Sequence, residues 1–182
     1  KVERITPLEN DVFKILTNAG QEFLCHQVLL SIGRRGTPRK LGIPGEDTGK
    51  VAYRLLEPEQ IQGKKIMVVG GGDSAIESAL LLKDQNEVVL SYRKEQFSRL
   101  KPKNREKIEK AAADKTIEVL FNSNLVSIHE GSVLIDVGDT KHTELANDLV
   151  YIFAGGELPT SFLQNAGVKI TRRFGHILKK HK

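Results

Sequence analysis

Gly70, Gly72 and Ala75 stand at the three small-residue positions of a GxGxxG/A pattern, within Ile66-Met67-Val68-Val69-Gly70-Gly71-Gly72-Asp73-Ser74-Ala75-Ile76-Glu77. Small residues at this spacing suit the binding of a dinucleotide pyrophosphate. Gly70 permits a tight strand-to-helix turn, Gly72 lets the backbone approach the phosphates without a side chain in the way, and Ala75 lets the helix pack close to the strand. Gly71, Asp73 and Ser74 complete the turn, and the helix start supplies unpaired N–H groups and the positive end of its dipole. The pattern alone is weak. Its weight comes from context, because an apolar, β-branched run precedes it and a helical pattern follows.

The residue about 20 positions after the first glycine meets the adenosine ribose of a bound dinucleotide. Counting 91 − 70 = 21 brings Ser91 to that place, followed by Tyr92-Arg93-Lys94. A carboxylate there would accept the 2′-hydroxyl of NAD, but this strand end has none and a basic pair follows. Arg93 can fork onto a 2′-phosphate and Lys94 adds a point charge, while Tyr92 either stacks or caps the sheet. Arg99 is placed to close the same pocket from the next loop, with Glu95 offsetting part of the field. The expected ligand is NADP(H) rather than NAD(H).

The elements that must position these residues follow from the apolar periodicity. Lys65 to Val69 reads as a buried strand, Asp73 to Lys83 as a helix and Glu87 to Tyr92 as a second strand, which is βαβ order. Asn104 to Ala113 reads as a further helix and Ile117 to Phe121 as its strand. The fold class is therefore α/β: a Rossmann-type dinucleotide-binding domain with a parallel sheet. Before it, Val2 to Thr6, Asp11 to Thr17 and Gln21 to Ile32 read as an antiparallel β-meander, broken at Glu9-Asn10-Asp11 and Asn18-Ala19-Gly20. Leu125 to Ile128, Val133 to Val137 and His142 to Phe153 repeat that order. An offset of 149 − 28 = 121 carries Val28-Leu29-Leu30-Ser31-Ile32-Gly33 onto Leu149-Val150-Tyr151-Ile152-Phe153-Ala154, and Pro38 onto Pro159, so an internal duplication is inferred. Thr37 to Lys50, dense in Gly and Pro, reads as a linker.

Composition sets the outer limits. Lys plus Arg 28 against Asp plus Glu 23 leaves +5, which suits an anionic ligand without demanding nucleic acid. One cysteine, Cys25, supplies neither an internal disulfide nor a CxxC pair, so a cytoplasmic setting is expected. No membrane-length apolar run is present, and the start at Lys1 without Met reads as an excised piece. His26, His129, His142, His176 and His181 show no metal-ligand spacing, no Ser is framed as GxSxG, and Arg99 to Lys107 lacks the interleaved aromatics of a nucleic-acid site.

Gly33, Ile43-Pro44-Gly45-Glu46, the Val68-to-Glu77 stretch and Tyr92-Arg93-Lys94 together resemble the thioredoxin-reductase-like branch (class II) of the pyridine nucleotide-disulfide oxidoreductases, along nearly the whole chain. In that family an FAD domain is interrupted by an NADPH domain of the same ancestry. The resemblance implies a fragment of the FAD domain with its linker over 1–45, the NADPH-binding domain over 46–157, and a C-terminal FAD-domain fragment over 158–182. It matches Tyr92-Arg93-Lys94 to the family's His-Arg-Arg and Glu77 to a helix glutamate near the nicotinamide. It also implies the flavin domain of the same polypeptide as partner, and is compatible with a homodimer of the full-length protein.

Three departures qualify it. Val51 to Lys65 holds no CxxC, so no thiol-disulfide chemistry is expected here. The FAD domain's own glycine fingerprint would precede Lys1, so FAD is expected in the full-length protein only. The strand end reads Ala154-Gly155-Gly156-Glu157-Leu158-Pro159-Thr160 where the family has Gly followed by Pro-Asn-Thr; the resemblance, not this sequence, implies nicotinamide-side contacts at Ala154, Gly155 and Gly156. The expected activity is an FAD-dependent oxidoreductase in which this domain delivers hydride from NADPH to flavin, with the excised piece inactive alone and no residue assigned as acid, base or nucleophile. The alternative is a non-catalytic module that senses NADPH or another phosphorylated nucleotide.

Overall fold

A computed structural model describes residues 2–32, 38–157 and 159–171. Gly33, Leu158 and residues 172–182, and with them about half of the expected C-terminal fragment over 158–182, lie outside the described residues. The chain forms two compact units, one from 1–37 and 156–182 and the other Pro38–Gly155.

The first unit contains β1 (Val2–Pro7), β2 (Phe13–Thr17) and β3 (Glu22–Cys25) as an antiparallel sheet in that order, with Ile5 opposite Ile15 and Ile15 opposite Phe23. Asn10 (φ 58°) and Asp11 (φ 56°) turn the chain between β1 and β2, as residues tolerant of left-handed backbone do. The third strand is shorter than the expected Gln21 to Ile32. It ends at Cys25, and Val28 to Ile32 carries no strand; Leu29 is 93% exposed.

The second unit is an α/β layer around a five-stranded parallel sheet. Its strands are β4 (Val51–Ala52), β5 (Lys65–Val69), β6 (Glu87–Tyr92), β7 (Glu118–Phe121) and β11 (Leu149–Ile152), in the order β4-β11-β5-β6-β7. Helices α1 (Asp73–Leu82) and α2 (Pro102–Ala113) cover one face, and an antiparallel sheet of β8 (Ser123–Ile128), β9 (Ser132–Val137) and β10 (Thr140–Ala146) covers the other. The period of two along β5 dictates this sandwich. Ile66 and Val68 join the helix-side cluster with Ala75, Ile76 and Ile108, whereas Met67 joins the meander-side cluster with Leu125, Val133 and Ile135. Each fully buried Ile, Val or Met side chain among these stabilises the unit by about 1.5–3 kcal/mol relative to exposure.

The expected strand His142 to Phe153 is two strands in two sheets. Asn147, buried at the break, donates through Nδ2 to the carbonyls of Leu149 (2.8 Å) and Lys65 (3.2 Å). Asp148 exchanges bonds with Lys65, its N–H reaching Lys65 O at 2.8 Å and its Oδ2 accepting the Lys65 N–H at 2.7 Å. This clamp turns the chain out of β10 and into register beside β5. The aligned segments of the repeat therefore differ: Leu149–Ile152 is a central parallel strand and Val28 to Ile32 is not a strand.

The stretch expected as a linker is built into the second unit from Pro38 onward. Glu46, 7% exposed, accepts the N–H groups of Leu41 and Gly42 (both 2.7 Å) and the Tyr53 hydroxyl (2.8 Å). Burial opposes its ionisation, but these donors outweigh burial and hold its carboxyl below the usual carboxylate range. The same bond and burial push Tyr53 up to about 12. Gly45 has φ 80°, and a Cβ on it would fall 1.9 Å from Ile128 O, so this turn admits only glycine. Lys50 Nζ donates to three carbonyls, of Asn147 (3.0 Å), Glu130 and Ser132 (both 3.2 Å), tying the meander to the start of β4.

Candidate functional site at the glycine-rich turn

Because β5, β6 and β11 are parallel, their C-terminal ends open on one edge of the sheet, and the glycine-rich turn lies there between β5 and α1. Gly70 has φ 143°, and a Cβ on it would lie 2.7 Å from Phe153 O and 3.1 Å from Ala75 Cβ. Its N–H donates to Ser91 O at 2.9 Å, so the first glycine is gripped by the ends of both neighbouring strands. Ala75, fully buried, sits against it as a close helix–strand approach requires. Gly72 is the N-cap of α1 with extended backbone (φ −103°, ψ 170°), and its carbonyl accepts the N–H groups of Ala75 and Ile76. No side chain caps the helix, and a Cβ at Gly72 would meet nothing within 4 Å. The N–H groups of Gly72, Asp73 and Ser74, at the uncapped start of α1, therefore border an open cradle, with Ser74 itself exposed.

Gly71 has a role that the pattern leaves as an unspecified x. A Cβ there would fall 2.2–2.4 Å from ring atoms of Tyr92. The Tyr92 ring stacks on Phe97 (centroids 5.6 Å, 16° between planes), and Phe97 meets Phe121 edge-on at 5.0 Å. The Tyr92 ring thus roofs the sheet end and braces the turn.

Ser91 points to the other face. It is 1% exposed and its hydroxyl lies 2.8 Å from that of Ser123, which also accepts the Tyr92 N–H at 3.1 Å. The counted ribose position thus offers no side chain to the open edge, and the first residues able to do so are Arg93 and Lys94. Both are exposed, and Lys94 O accepts the Asn122 N–H at 3.1 Å, which fixes the turn that carries them. Arg99 is exposed in the same loop, beyond the buried anchor Phe97. Among the described residues none of these three cations pairs with a carboxylate.

Asp73 and Glu77, expected at the cofactor, are engaged by a residue that the sequence did not single out. Asn104, in the first turn of α2, donates through Nδ2 to Asp73 Oδ1 (2.7 Å) and to Glu77 Oε1 (2.8 Å). The Lys101 N–H adds a third bond, to Asp73 Oδ1 at 3.1 Å. The Asn104 amide and then this N–H hold the Asp73 carboxyl below the usual carboxylate range. At the end of β11, Ala154 is half-buried and Gly155 is exposed with φ 90°, its carbonyl accepting the Arg39 N–H at 3.0 Å. Gly156 belongs to the other compact unit.

A family model described as pyridine nucleotide-disulphide oxidoreductase matches residues 1–181. The chain belongs to that family. It is 28% identical over 169 residues to bacilliredoxin reductase Bdr of Bacillus subtilis, covering 92% of this chain and 52% of the relative. It is 35% identical over 147 residues to a ferredoxin–NADP reductase of Picrophilus torridus, covering 78% of this chain and 42% of that one. Among solved structures it resembles bacillithiol disulfide reductase Bdr from Staphylococcus aureus, with TM-score 0.86, 25% identity, and coverage of 96% of this chain and 54% of that chain. The family member described here thus spans about half the length of these relatives, or less. The mixed α/β architecture, with its parallel sheet and antiparallel sheets, is that of thioredoxin-reductase-like structures. Among the described residues no helix is long and apolar enough to cross a membrane.

Proposed function

We propose that the Pro38–Gly155 unit binds NADPH on the edge formed by the ends of β5, β6 and β11, as the nucleotide domain of a flavoprotein oxidoreductase. The observation that carries this reading is the open cradle at Gly72, ahead of an uncapped helix start, with Arg93 and Lys94, which pair with no carboxylate among the described residues, one strand away. An anion fits that donor set: backbone N–H groups and the helix dipole for a pyrophosphate, a guanidinium and an ammonium for a 2′-phosphate. Gly70 and Ala75 set the path of the backbone, Gly71 and Tyr92 brace it, Gly72, Asp73 and Ser74 supply N–H groups, and Arg93, Lys94 and Arg99 face the added phosphate. In this reading Ala154 and Gly155 serve the nicotinamide side, and the Glu77 carboxylate stays with Asn104.

When bound, NADPH supplies a hydride, and the chain's own task is to bind and orient it towards a flavin held by the rest of a longer polypeptide. The printed names of the relatives, ferredoxin–NADP reductases among them, support an NADP-linked redox role, and the direction from NADPH to flavin is part of the proposal. The domain boundaries near 46 and 157, the placement of FAD outside this chain, and the partnership with a flavin domain belong to the same proposal. Titration of NADPH and NADH into the purified chain, with its visible spectrum recorded, tests it. The expected result is a colourless protein that binds NADPH more tightly than NADH. A yellow preparation with stoichiometric flavin, or an equal affinity for both nucleotides, would contradict it.

A further inference from the structure

We propose that Asn104 is a positioning residue for dinucleotide binding, its one amide nitrogen holding the Asp73 and Glu77 carboxylates onto the start of α2 and off the phosphate cradle. The inference rests on the nucleotide reading above and extends it to a residue outside the glycine motif.

Asp73 is the first residue of α1, between Gly72 and Ser74, whose N–H groups a pyrophosphate would take. A free carboxylate at that place would oppose a ligand with several negative charges, since like charges a few ångströms apart at a protein surface repel more strongly than in bulk water. Asp73 and Glu77 are also four residues apart on one helix, a like-charge pair. Asn104 addresses both. Its two Nδ2 hydrogens are divided between Asp73 Oδ1 and Glu77 Oε1, and its side chain is packed, the residue being 8% exposed. The Lys101 N–H, just before Pro102 opens α2, adds the third bond to Asp73 Oδ1. A neutral donor with two hydrogens is what this geometry needs, because it satisfies one oxygen on each carboxylate from a single buried atom.

The test is a set of NADPH and NADH titrations with the full 182-residue chain as wild type, Asn104→Ala, Asp73→Asn and the double variant. Asn104→Ala is expected to weaken both nucleotides by the same factor, about tenfold, because the pyrophosphate is common to them. In the Asp73→Asn background the same substitution is expected to cost clearly less, about two- to threefold, since only the Glu77 carboxylate, one helical turn further along α1, remains to be released. Asn104→Leu, nearer in volume, keeps the packing of α2 and should reproduce the pattern. The proposal is overturned if Asn104→Ala and Asn104→Leu bind as tightly as wild type. It is equally overturned if their loss is undiminished in the Asp73→Asn background, which is the behaviour of a residue that only packs the helix. A wild type that binds neither nucleotide overturns the nucleotide reading as well, and so separates the two failures.

Discussion

The ring of Tyr92 fills the space that a Cβ on Gly71 would need, with Cε2 2.2 Å from that position. The glycine-rich turn and the end of β6 are therefore packed as one piece, and the stack of Tyr92 on Phe97 extends that piece into the loop before α2. Gly71→Ala must displace the ring or the turn, and should destabilise the unit by about 1–3 kcal/mol while weakening nucleotide binding. Gly72→Ala meets open space and an extended backbone, so it should leave the melting temperature unchanged and lower affinity alone. Thermal unfolding paired with NADPH titration distinguishes the two.

Glu46 should make the second unit sensitive to acid. Its carboxyl is held below its ordinary value in the folded state, so its stabilising effect is present above the unfolded value, near 4.5, and is lost as pH falls through the lower folded value. Glu46→Gln should be less stable than wild type at neutral pH by about 1–3 kcal/mol, because the Leu41 and Gly42 N–H groups and the Tyr53 hydroxyl lose a charged acceptor. The difference should shrink below pH 4.5. Urea unfolding across pH 3 to 7 measures it, and a gap that widens on acidification would count against this role.

Much of this architecture was legible from local pattern. Lys65–Val69 and Glu87–Tyr92 are strands with the expected ends because an apolar, β-branched run bounded by Gly, Asn and Arg leaves little choice. The division between β10 and β11 was not legible. Leu145-Ala146 and Leu149-Val150 read as one apolar strand, and the break depends on Asn147 and Asp148 finding Lys65, more than 80 residues away. The same holds in the site. Gly70, Gly72 and Ala75 announce themselves by spacing, but Asn104 lies 31 residues from Asp73 and carries no local signal. For Gly71 a signal existed in the aromatic at the end of the next strand, since Tyr92 must pack somewhere near the turn. Ser91 was placed by counting along the chain, and strand alternation then turned its hydroxyl to Ser123.

Asn147→Ala should expose how much the second unit depends on that break. The substitution removes a side-chain donor from the half-buried Leu149 O and leaves Lys65 O with the Asp148 N–H, and is expected to cost about 1 kcal/mol in urea unfolding. Hydrogen exchange should show the loss first at the amides of β11 and β5. Uniform protection in the variant would contradict the clamp.

The preference for NADPH over NADH at Arg93 is tested most directly by a single titration series. Arg93→Ala should weaken NADPH roughly ten- to a hundredfold through the loss of a charge-assisted contact, and leave NADH almost unchanged. The companion is Arg93→Asp, because a carboxylate at position 91 would be buried beside Ser123 whereas position 93 reaches the open edge. It should shift the preference towards NADH. Isothermal titration of both nucleotides into wild type and Arg93→Ala gives the answer: a loss confined to NADPH is the predicted result, and an equal loss for NADPH and NADH would contradict the assignment.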